Sequence, residues 1–206
     1  MTPAAALARG LQELALELPA GATERLLAYV ALLEKWNRTY NLTAIRDPLA
    51  MVSQHLLDSL AVRAELPAGT LVDVGAGAGL PGIPLAIAEP QRRITLNEAN
   101  EKKGAFLRQA VIELRLTNAS VYIGRVERWR PQPRFEIAIC RGFASLAEFI
   151  ASCRHLVSPG GTLAAMKGIY PAAELARVPQ DCDCRDVRKL YVPLLDADRH
   201  LVLCRA

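Results

Sequence analysis

Three glycines at alternate positions interrupt an apolar part of the chain. Gly75, Gly77 and Gly79 follow the strand-like residues 71–74, and an apolar stretch, 83–88, comes after them. A strand that ends in glycines and leads into a helix is the layout of a nucleotide-type cofactor loop, because glycine lets backbone approach a ligand and a helix start offers free N–H groups. Such a loop can also be only a tight turn, since a glycine pattern alone is weak evidence.

The register of the glycines argues against a dinucleotide. Residues 77–82 match the pattern G-x-G-x-x-G. In dinucleotide-binding folds, however, the first glycine follows the strand directly, and that residue here is Gly75. Counting from Gly75, the third glycine position is occupied by Leu80, so the match is displaced into the turn. The alternative function that remains is that of a NAD-dependent oxidoreductase, which would bind NADH and not S-adenosylmethionine.

Two carboxylates flank the loop and favour S-adenosylmethionine. Asp73 precedes the glycines, where a carboxylate would repel a pyrophosphate but attract a cationic sulfonium. Glu98 ends the next strand-like run, from which a carboxylate can accept both ribose hydroxyls of an adenosine. We therefore predict an S-adenosylmethionine site that includes Asp73, Gly75, Gly77 and Glu98. If neither residue binds a ligand, the alternative roles are structural: Asp73 as a turn residue at the strand end and Glu98 as the N-cap of the following helix.

Strand-like and helix-like runs alternate from residue 70 onward. The strand-like runs are 71–74, 93–97, 120–123, 136–140, 162–166, 187–192 and 200–204, and helical runs at 83–88, 102–116 and 146–156 separate the earlier ones. This alternation predicts an α/β fold with a mostly parallel sheet and helices on both faces. The last two strands have no long helix between them, which predicts an antiparallel pair.

Residues 1–65 are predicted to form a helical region that precedes an α/β domain of residues 66–206. Leucine spacing and start signals indicate helices over 2–18, over 23–40 with Thr23 as N-cap, and from Asp47-Pro48 onward. His55, Asp58 and Ser59 lie within one turn of the third helix. One helix face cannot arrange a hydrolase triad around a carbonyl, so we expect these three to anchor the helix or form a site wall.

Charge distribution and hydropathy indicate which classes of binding partner to expect. The net charge is +4, yet residues 1–69 carry 6 basic and 7 acidic side chains, so the positive excess lies in the rest of the chain, where a polyanion would be expected to bind. No apolar run approaches the roughly 20 residues of a membrane span, and no secretory signal is recognisable. We expect a cytoplasmic protein without membrane contact.

The cysteines are expected to be reduced thiols. Their number, five, is odd, and a cytosolic protein of this size rarely holds disulfides. Cys182 and Cys184 are separated by one residue rather than by the two of common zinc or redox pairs, and the chain has only three histidines. The sequence therefore predicts no metal site.

Several motifs together resemble one known family. In chain order they are Lys35-Trp36-Asn37, Tyr40-Asn41-Leu42-Thr43, His55-Leu56-Leu57-Asp58-Ser59, Asp73-Val74-Gly75, Gly79-Leu80-Pro81-Gly82-Ile83-Pro84, Lys102-Lys103, Phe106-Leu107, Arg125-Val126-Glu127, Arg141, Ala144-Ser145-Leu146 and Lys167-Gly168. The chain resembles, over nearly its whole length, the bacterial small-subunit ribosomal RNA guanine-N7 methyltransferases, formerly called glucose-inhibited division protein B.

The resemblance implies a class I methyltransferase fold, Rossmann-like, with an antiparallel last strand. It implies methyl transfer from S-adenosylmethionine to guanine N7 at position 527, in the 530 loop of 16S rRNA within the small ribosomal subunit, and we expect a monomer. Implied cofactor contacts are Gly75, Leu80, Val126, Glu127 and Arg141. Implied RNA-side basic residues are Lys102, Arg125, Lys167 and Arg199.

The residues after the fourth strand agree with this chemistry. Guanine N7 carries an in-plane lone pair, so its methylation requires no general base and depends mainly on positioning. Residues 139–143 match neither the motif of amino-nitrogen methyltransferases nor the cysteine pair of cytosine-C5 enzymes. Arg141, at a strand end, would position the methionine carboxylate or an RNA phosphate. The alternatives are a cofactor-binding RNA module without catalysis and a methyltransferase acting on another RNA.

Overall fold

The computed structural model describes residues 1–205 and begins with a helical segment. Its helices are α1 (Pro3–Glu13), α2 (Ala22–Tyr40) and a composite third helix that runs through α3 (Pro48–Met51), a π-helical stretch (Val52–Leu57) and α4 (Asp58–Ala61). A 3₁₀ turn, Arg63–Glu65, follows. Within the described residues, the structure shows no helix whose length and hydropathy would suit a membrane span.

The observed helix boundaries agree with some of the predicted start and end residues and differ from others. Asp47 caps the third helix as predicted, since its Oδ2 accepts the Ala50 N–H at 3.0 Å. The predicted N-cap Thr23 is wrong, because α2 begins one residue earlier, after Gly21 at a φ of 73°. The first helix ends at Glu13 rather than at residue 18, because Ala15 takes a φ of 50° and reverses the chain.

The sheet confirms the predicted α/β class. Its strands are β1 (Leu71–Val74), β2 (Ile94–Glu98), β3 (Ala119–Ile123), β4 (Phe135–Arg141), β5 (Val157–Lys167), β6 (Asp183–Leu190) and β7 (Arg199–Arg205). In the described part of the chain their order is β3-β2-β1-β4-β5-β7-β6. The first five pair in parallel, whereas β7 runs antiparallel to both β5 and β6.

Helices cover both faces of this sheet. They are α5 (Gly82–Ala88), α6 (Glu101–Glu113), α7 (Leu146–Cys153) and α8 (Ala172–Leu175), with 3₁₀ turns at Val126–Arg128 and Arg154–Leu156. Alternating strand residues point to opposite faces, so Leu71 joins one hydrophobic cluster and Val72 the other. The N-terminal helices share the first cluster with α5 and α6, so this segment packs directly on the sheet domain.

The cysteines differ from the expectation of five reduced thiols. Cys184 of β6 and Cys204 of β7 form a disulfide, while Cys140, Cys153 and Cys182 are free and buried. The sequence separation of 20 residues gives no hint of this pairing. Only the antiparallel contact of the two strands brings the residues together.

One buried hydroxyl ties the N-terminal helices to the glycine loop. Tyr29 of α2 is fully buried, and its Oη donates a hydrogen bond of 2.7 Å to the Ala78 carbonyl. Trp36 of the same helix packs edge-on against Phe106 of α6. The N-terminal helices therefore support the loop.

We predict that Tyr29→Phe lowers the free energy of unfolding by about 1–2 kcal/mol, because a buried carbonyl loses its donor. Urea unfolding measures this change, and the m-value should stay the same as in the unmodified protein. Tyr40→Phe is the matched control, since Tyr40 is exposed and should change stability by less than about 0.5 kcal/mol. Equal effects of the two substitutions would contradict the supporting role of Tyr29.

Candidate cofactor and acceptor site

The glycine loop lies where the direction of strand order changes. Its strand, β1, has β2 on one side and β4 on the other. The chain thus leaves β1 towards β2 and β3, and later crosses to β4 and β5. Ligands of open parallel sheets bind at this switch point, outside the carboxyl ends of the strands.

The loop backbone requires glycine at its exposed bend. Gly75 has a φ of 66°, and a Cβ placed there would meet no atom within 4 Å. Gly77 has a φ of 57°, and its N–H donates to Glu98 Oε2 at 2.9 Å. The loop therefore presents open backbone at Gly75 and is tied to the end of β2 through Gly77.

Asp73 is a buried carboxyl with one free oxygen. Its Oδ2 accepts the Gly82 N–H at the start of α5 at 2.8 Å, whereas its Oδ1 has no partner among the described residues. Burial raises the pKa of Asp73 to about 7, against the lowering effects of the Gly82 hydrogen bond and of Arg141. An unpartnered, buried carboxyl oxygen of this kind is suited to a cationic ligand.

Glu98 is held as a fixed acceptor at the end of β2. Its Oε2 and Oε1 accept the N–H groups of Gly77 and Asn100 at 2.9 and 2.8 Å. The N-cap of α6 is Asn100, whose Oδ1 accepts the Lys102 N–H at 2.9 Å, so the alternative interpretation of Glu98 as that cap is wrong. Glu98 keeps lone pairs for the ribose hydroxyls of an adenosine.

The remaining predicted cofactor residues, Leu80, Val126 and Glu127, belong to the glycine loop and to the turn after β3. The Gly124 N–H donates to the Glu98 carbonyl at 2.9 Å, which places the turn Val126–Arg128 beside the end of β2. Val126 is buried and Glu127 exposed. Leu80 is buried beneath the loop.

These observations fit S-adenosylmethionine. The free oxygen of Asp73 suits a cationic group, Gly75 leaves room for close approach, and Glu98 suits a ribose. All three lie at the carboxyl edge of neighbouring strands, so one nucleoside-bearing ligand can reach them together.

Asp58 joins two arginines on the other side of the loop. It is buried, and its Oδ2 accepts from Arg141 Nη1 at 3.1 Å while its Oδ1 accepts from Arg199 Nε at 2.8 Å. Arg141 also donates to the Gln54 carbonyl at 3.0 Å. The third helix, β4 and β7 therefore meet at one carboxylate, which confirms the expected anchoring role of Asp58.

The arginines line a cleft of about 450 Å³. Its other walls include Phe143, Lys167 and His200. Lys167 Nζ lies 2.8 and 3.0 Å from the two carboxylate oxygens of Glu174, so it is paired rather than free. Three basic side chains thus face two carboxylates, which leaves the cleft with one excess positive charge.

The predicted basic residues fall into two groups. Arg141, Lys167 and Arg199 lie together in the cleft. Lys102, on the first turn of α6, and Arg125, which precedes the turn after β3, are exposed on the β2–β3 side instead. The structure does not bring the second group to the cleft.

His55 is a neutral wall residue and not part of a triad. Its Nδ1 donates to the Gln54 carbonyl at 2.9 Å, and its Nε2 lies 2.9 Å from Thr43 Oγ1. Burial, together with the charge of Arg141, lowers the pKa of His55 to about 4. Ser59 Oγ is buried without a partner among residues 1–205, so no Ser–His pair forms.

Thr43 contacts the wall residue His55 without lining the cleft itself, and sequence reasoning gave Thr43 no role of its own. Its N–H donates to Asn37 Oδ1 at 2.9 Å, and its hydroxyl accepts the Ile45 N–H at 3.1 Å. Because that hydroxyl also meets His55, the segment after α2 is attached to the third helix. In the sequence, the signal that pointed to Thr43 was its place in the motif Asn41-Leu42-Thr43.

Comparison with known proteins identifies the family. The family model described as "rRNA small subunit methyltransferase G" matches residues 22–202. The chain belongs to this family. A relative of the same name from Laribacter hongkongensis is 50% identical over 196 residues, 95% of each chain. Another, from Neisseria meningitidis serogroup A, is 50% identical over 198 residues, which are 96% of this chain and 95% of the relative.

Solved structures agree with the fold. A SAM-dependent methyltransferase from Aquifex aeolicus superposes with a TM-score of 0.61 at 16% identity, covering 85% of this chain and 97% of that one. The structure of M. jannaschii TYW2 in complex with AdoMet superposes with a TM-score of 0.53 at 16% identity, covering 72% of this chain and 75% of that one. The predicted resemblance, the methyltransferase fold and the S-adenosylmethionine cofactor of the family are thereby confirmed.

We predict that Asp73→Asn stabilises the ligand-free methyltransferase at pH 8 by about 1–3 kcal/mol. The folded-state pKa is raised to about 7, so the stabilisation from the bound proton is present below about pH 4 and is lost as the pH rises through 7. The variant should lose this pH dependence, as measured by urea unfolding between pH 4 and 8. It should also bind S-adenosylmethionine at least about tenfold more weakly at pH 8, because the charge attraction is gone.

Asp47→Asn is the control for both measurements, since asparagine keeps the helix cap. It should leave affinity and the pH profile unchanged. If Asp73→Asn gave the same profile as the unmodified protein, Asp73 would not be the titrating group.

We further predict that Asp58→Asn lowers the free energy of unfolding by about 1–3 kcal/mol, because Arg141 and Arg199 lose their shared counter-charge. Thermal unfolding measures the change. Asp186→Asn removes a carboxylate that pairs with Arg188 on the surface and should cost less than about 1 kcal/mol. A loss no larger than this control's would show that Asp58 does not hold the three elements together.

Proposed function

We propose that this protein transfers the methyl group of S-adenosylmethionine to N7 of a guanine in the 530 loop of 16S rRNA, at position 527. Support comes from family membership, because the curated relatives are named ribosomal RNA small subunit methyltransferase G. The observation that carries the choice of acceptor atom is the state of the titratable groups in the cleft.

Asp58, Glu174 and His55 are engaged rather than poised to take a proton, while His200 Nδ1 donates to the Gly168 carbonyl and Asp73 lies buried outside the cleft. Asp58 is bound by two arginines, Glu174 by Lys167, and His55 is neutral with both ring nitrogens occupied. A general base works best with a pKa near the operating pH, whereas the pKa of His55 is about 4. Such a cleft suits an acceptor that loses no proton, and guanine N7 is one.

Positioning is the contribution that the chain's own residues make. When bound, S-adenosylmethionine supplies an electrophilic methyl group on a sulfonium. Val74 and Cys140 are register partners, so Arg141 lies at the strand end beside Gly75 and the cleft adjoins the cofactor loop. Arg141 and Arg199 offer hydrogen-bond donors that can hold a guanine O6 or an adjacent phosphate while N7 stays free for the methyl group.

The exposed basic residues are proposed as phosphate contacts. Lys102 and Arg125 have no carboxylate within salt-bridge distance among residues 1–205 and face solvent. Contacts of this kind position RNA and are tolerant in geometry. We also propose that the protein acts in the cytoplasm on the small ribosomal subunit or its rRNA, as a monomer.

The test is to map N7-methylguanosine in 16S rRNA from cells with and without the gene. We expect the mark in the 530 loop to vanish on deletion and to return with the unmodified gene. Arg141→Ala should restore less than about one tenth of the methyl-transfer rate, because it removes a positioning group beside the cofactor. Arg185→Ala, a charge-matched control at an exposed position on β6, should restore the mark fully.

The outcomes separate the alternatives. A mark that persists after deletion would overturn the proposal. Saturable S-adenosylmethionine binding without methyl transfer to ribosomal subunits would indicate a non-catalytic RNA module. A methyl group that appears on another RNA would correct the substrate.

A further inference from the structure

Three cysteine sulfurs converge at the β6–β7 edge of the sheet. Cys182 precedes β6, Cys184 lies in β6 and Cys204 in β7, and their sulfur atoms all lie within 4.8 Å of one another. All three residues are buried against the cluster that contains Phe149 of α7. This group is separate from the residues of the cleft and of the cofactor loop.

We propose that, in the reduced protein, Cys182, Cys184 and Cys204 bind one thiophilic divalent metal ion of the Zn²⁺ class. The Cys182 and Cys184 sulfur atoms are 3.8 Å apart. Thiolates about 2.3 Å from a tetrahedral zinc ion lie about 3.8 Å from each other, so this pair already has the required spacing. Cys204 needs only to separate from Cys184 on reduction of the disulfide to complete a face of the tetrahedron.

The fourth position of the tetrahedron can open to solvent. Cys182 and Cys184 line a cavity of about 550 Å³, whose other walls include Tyr170 and Val178. A water molecule or an external ligand can enter from this side. Three protein ligands with one open position are a common arrangement for zinc.

The local charges are compatible with a trithiolate site. Three thiolates and Zn²⁺ carry a net charge of −1, and Arg205, the residue after Cys204, supplies a positive charge close to Asp183. The nearby acids are already engaged, Asp181 by Arg154 and Asp183 by Arg185. Metal binding would displace one proton from each thiol, and no electron transfer occurs in that step.

The disulfide and the metal site exclude each other. The Cys184–Cys204 bond consumes two of the three ligands, so the oxidised protein should not bind the ion. The reduced site would instead connect the segment before β6 with both strands at the sheet edge. Binding to the folded state alone would stabilise the protein by mass action.

The test is titration of the purified full-length protein with Zn²⁺ under anaerobic conditions, after reduction with a phosphine and its removal. We expect one equivalent to bind with a Kd below about 1 μM. Bound Zn²⁺ should slow the alkylation of Cys182, Cys184 and Cys204, whereas Cys140 and Cys153, which are buried elsewhere, should react at the same rate with and without the ion. With Cd²⁺ as the probe, the unmodified protein should show the thiolate charge-transfer absorption of three sulfur ligands, a readout that needs no variant.

Variants locate the site. Cys182→Ser, which leaves the strands intact, should weaken Zn²⁺ binding at least about 100-fold. Cys140→Ala is the control, because Cys140 is a buried free thiol of β4 that is not one of the three converging cysteines, and this variant should bind Zn²⁺ like the unmodified protein.

Three results would each overturn the proposal. The first is absence of stoichiometric Zn²⁺ binding by the folded, reduced protein. The second is binding that Cys182→Ser leaves unchanged. The third is a disulfide between Cys182 and Cys184 in the oxidised protein together with no metal binding after reduction, which would make the group a site of thiol exchange instead.

Discussion

The architecture of the candidate site depends on the double ion pair of Asp58. A buried carboxylate is costly unless it is paired, and here each oxygen accepts from a different arginine. Because Arg141 belongs to β4 and Arg199 to β7, satisfying this one charge sets the third helix against both strands. The same contacts hold the two guanidinium groups at the cleft, so the anchor of the N-terminal segment is also a wall of the cleft.

At the glycine loop, by contrast, one buried carboxyl is only partly paired. Asp73 is buried with one oxygen unpartnered, so its charge is unfavourable in the ligand-free protein. Glu98 is bound by two backbone N–H groups and stays a fixed acceptor. Asp73 thus keeps one oxygen without a partner among residues 1–205, whereas Glu98 fixes the loop through its two hydrogen bonds. Tyr29 completes the arrangement, because it braces the loop at Ala78 from the N-terminal helices.

Sequence patterns predicted the elements and the loop well, since these depend on neighbouring residues. The strands β1 to β5, the Asp47 cap and the antiparallel end of the sheet all follow from short-range signals. Thr23 failed as a cap because Gly21 offered a left-handed turn two residues earlier. Lys167 was expected on the RNA side, and its ion pair with Glu174 could not be predicted, because nothing in the spacing shows whether such a pair forms across a turn.

By itself, the sequence determined the α/β class, the resemblance to the rRNA methyltransferase family and the order of Asp73, Gly75 and Glu98 along the chain. Tertiary structure alone decided which charges meet. Asp58 lies 83 residues from Arg141 and 141 from Arg199, and Cys204 lies 20 residues from Cys184. Contacts at such separations arise from strand order and helix packing, which local residue patterns do not encode. The partners of Asp58 and the convergence of three sulfurs could therefore appear only in the folded molecule.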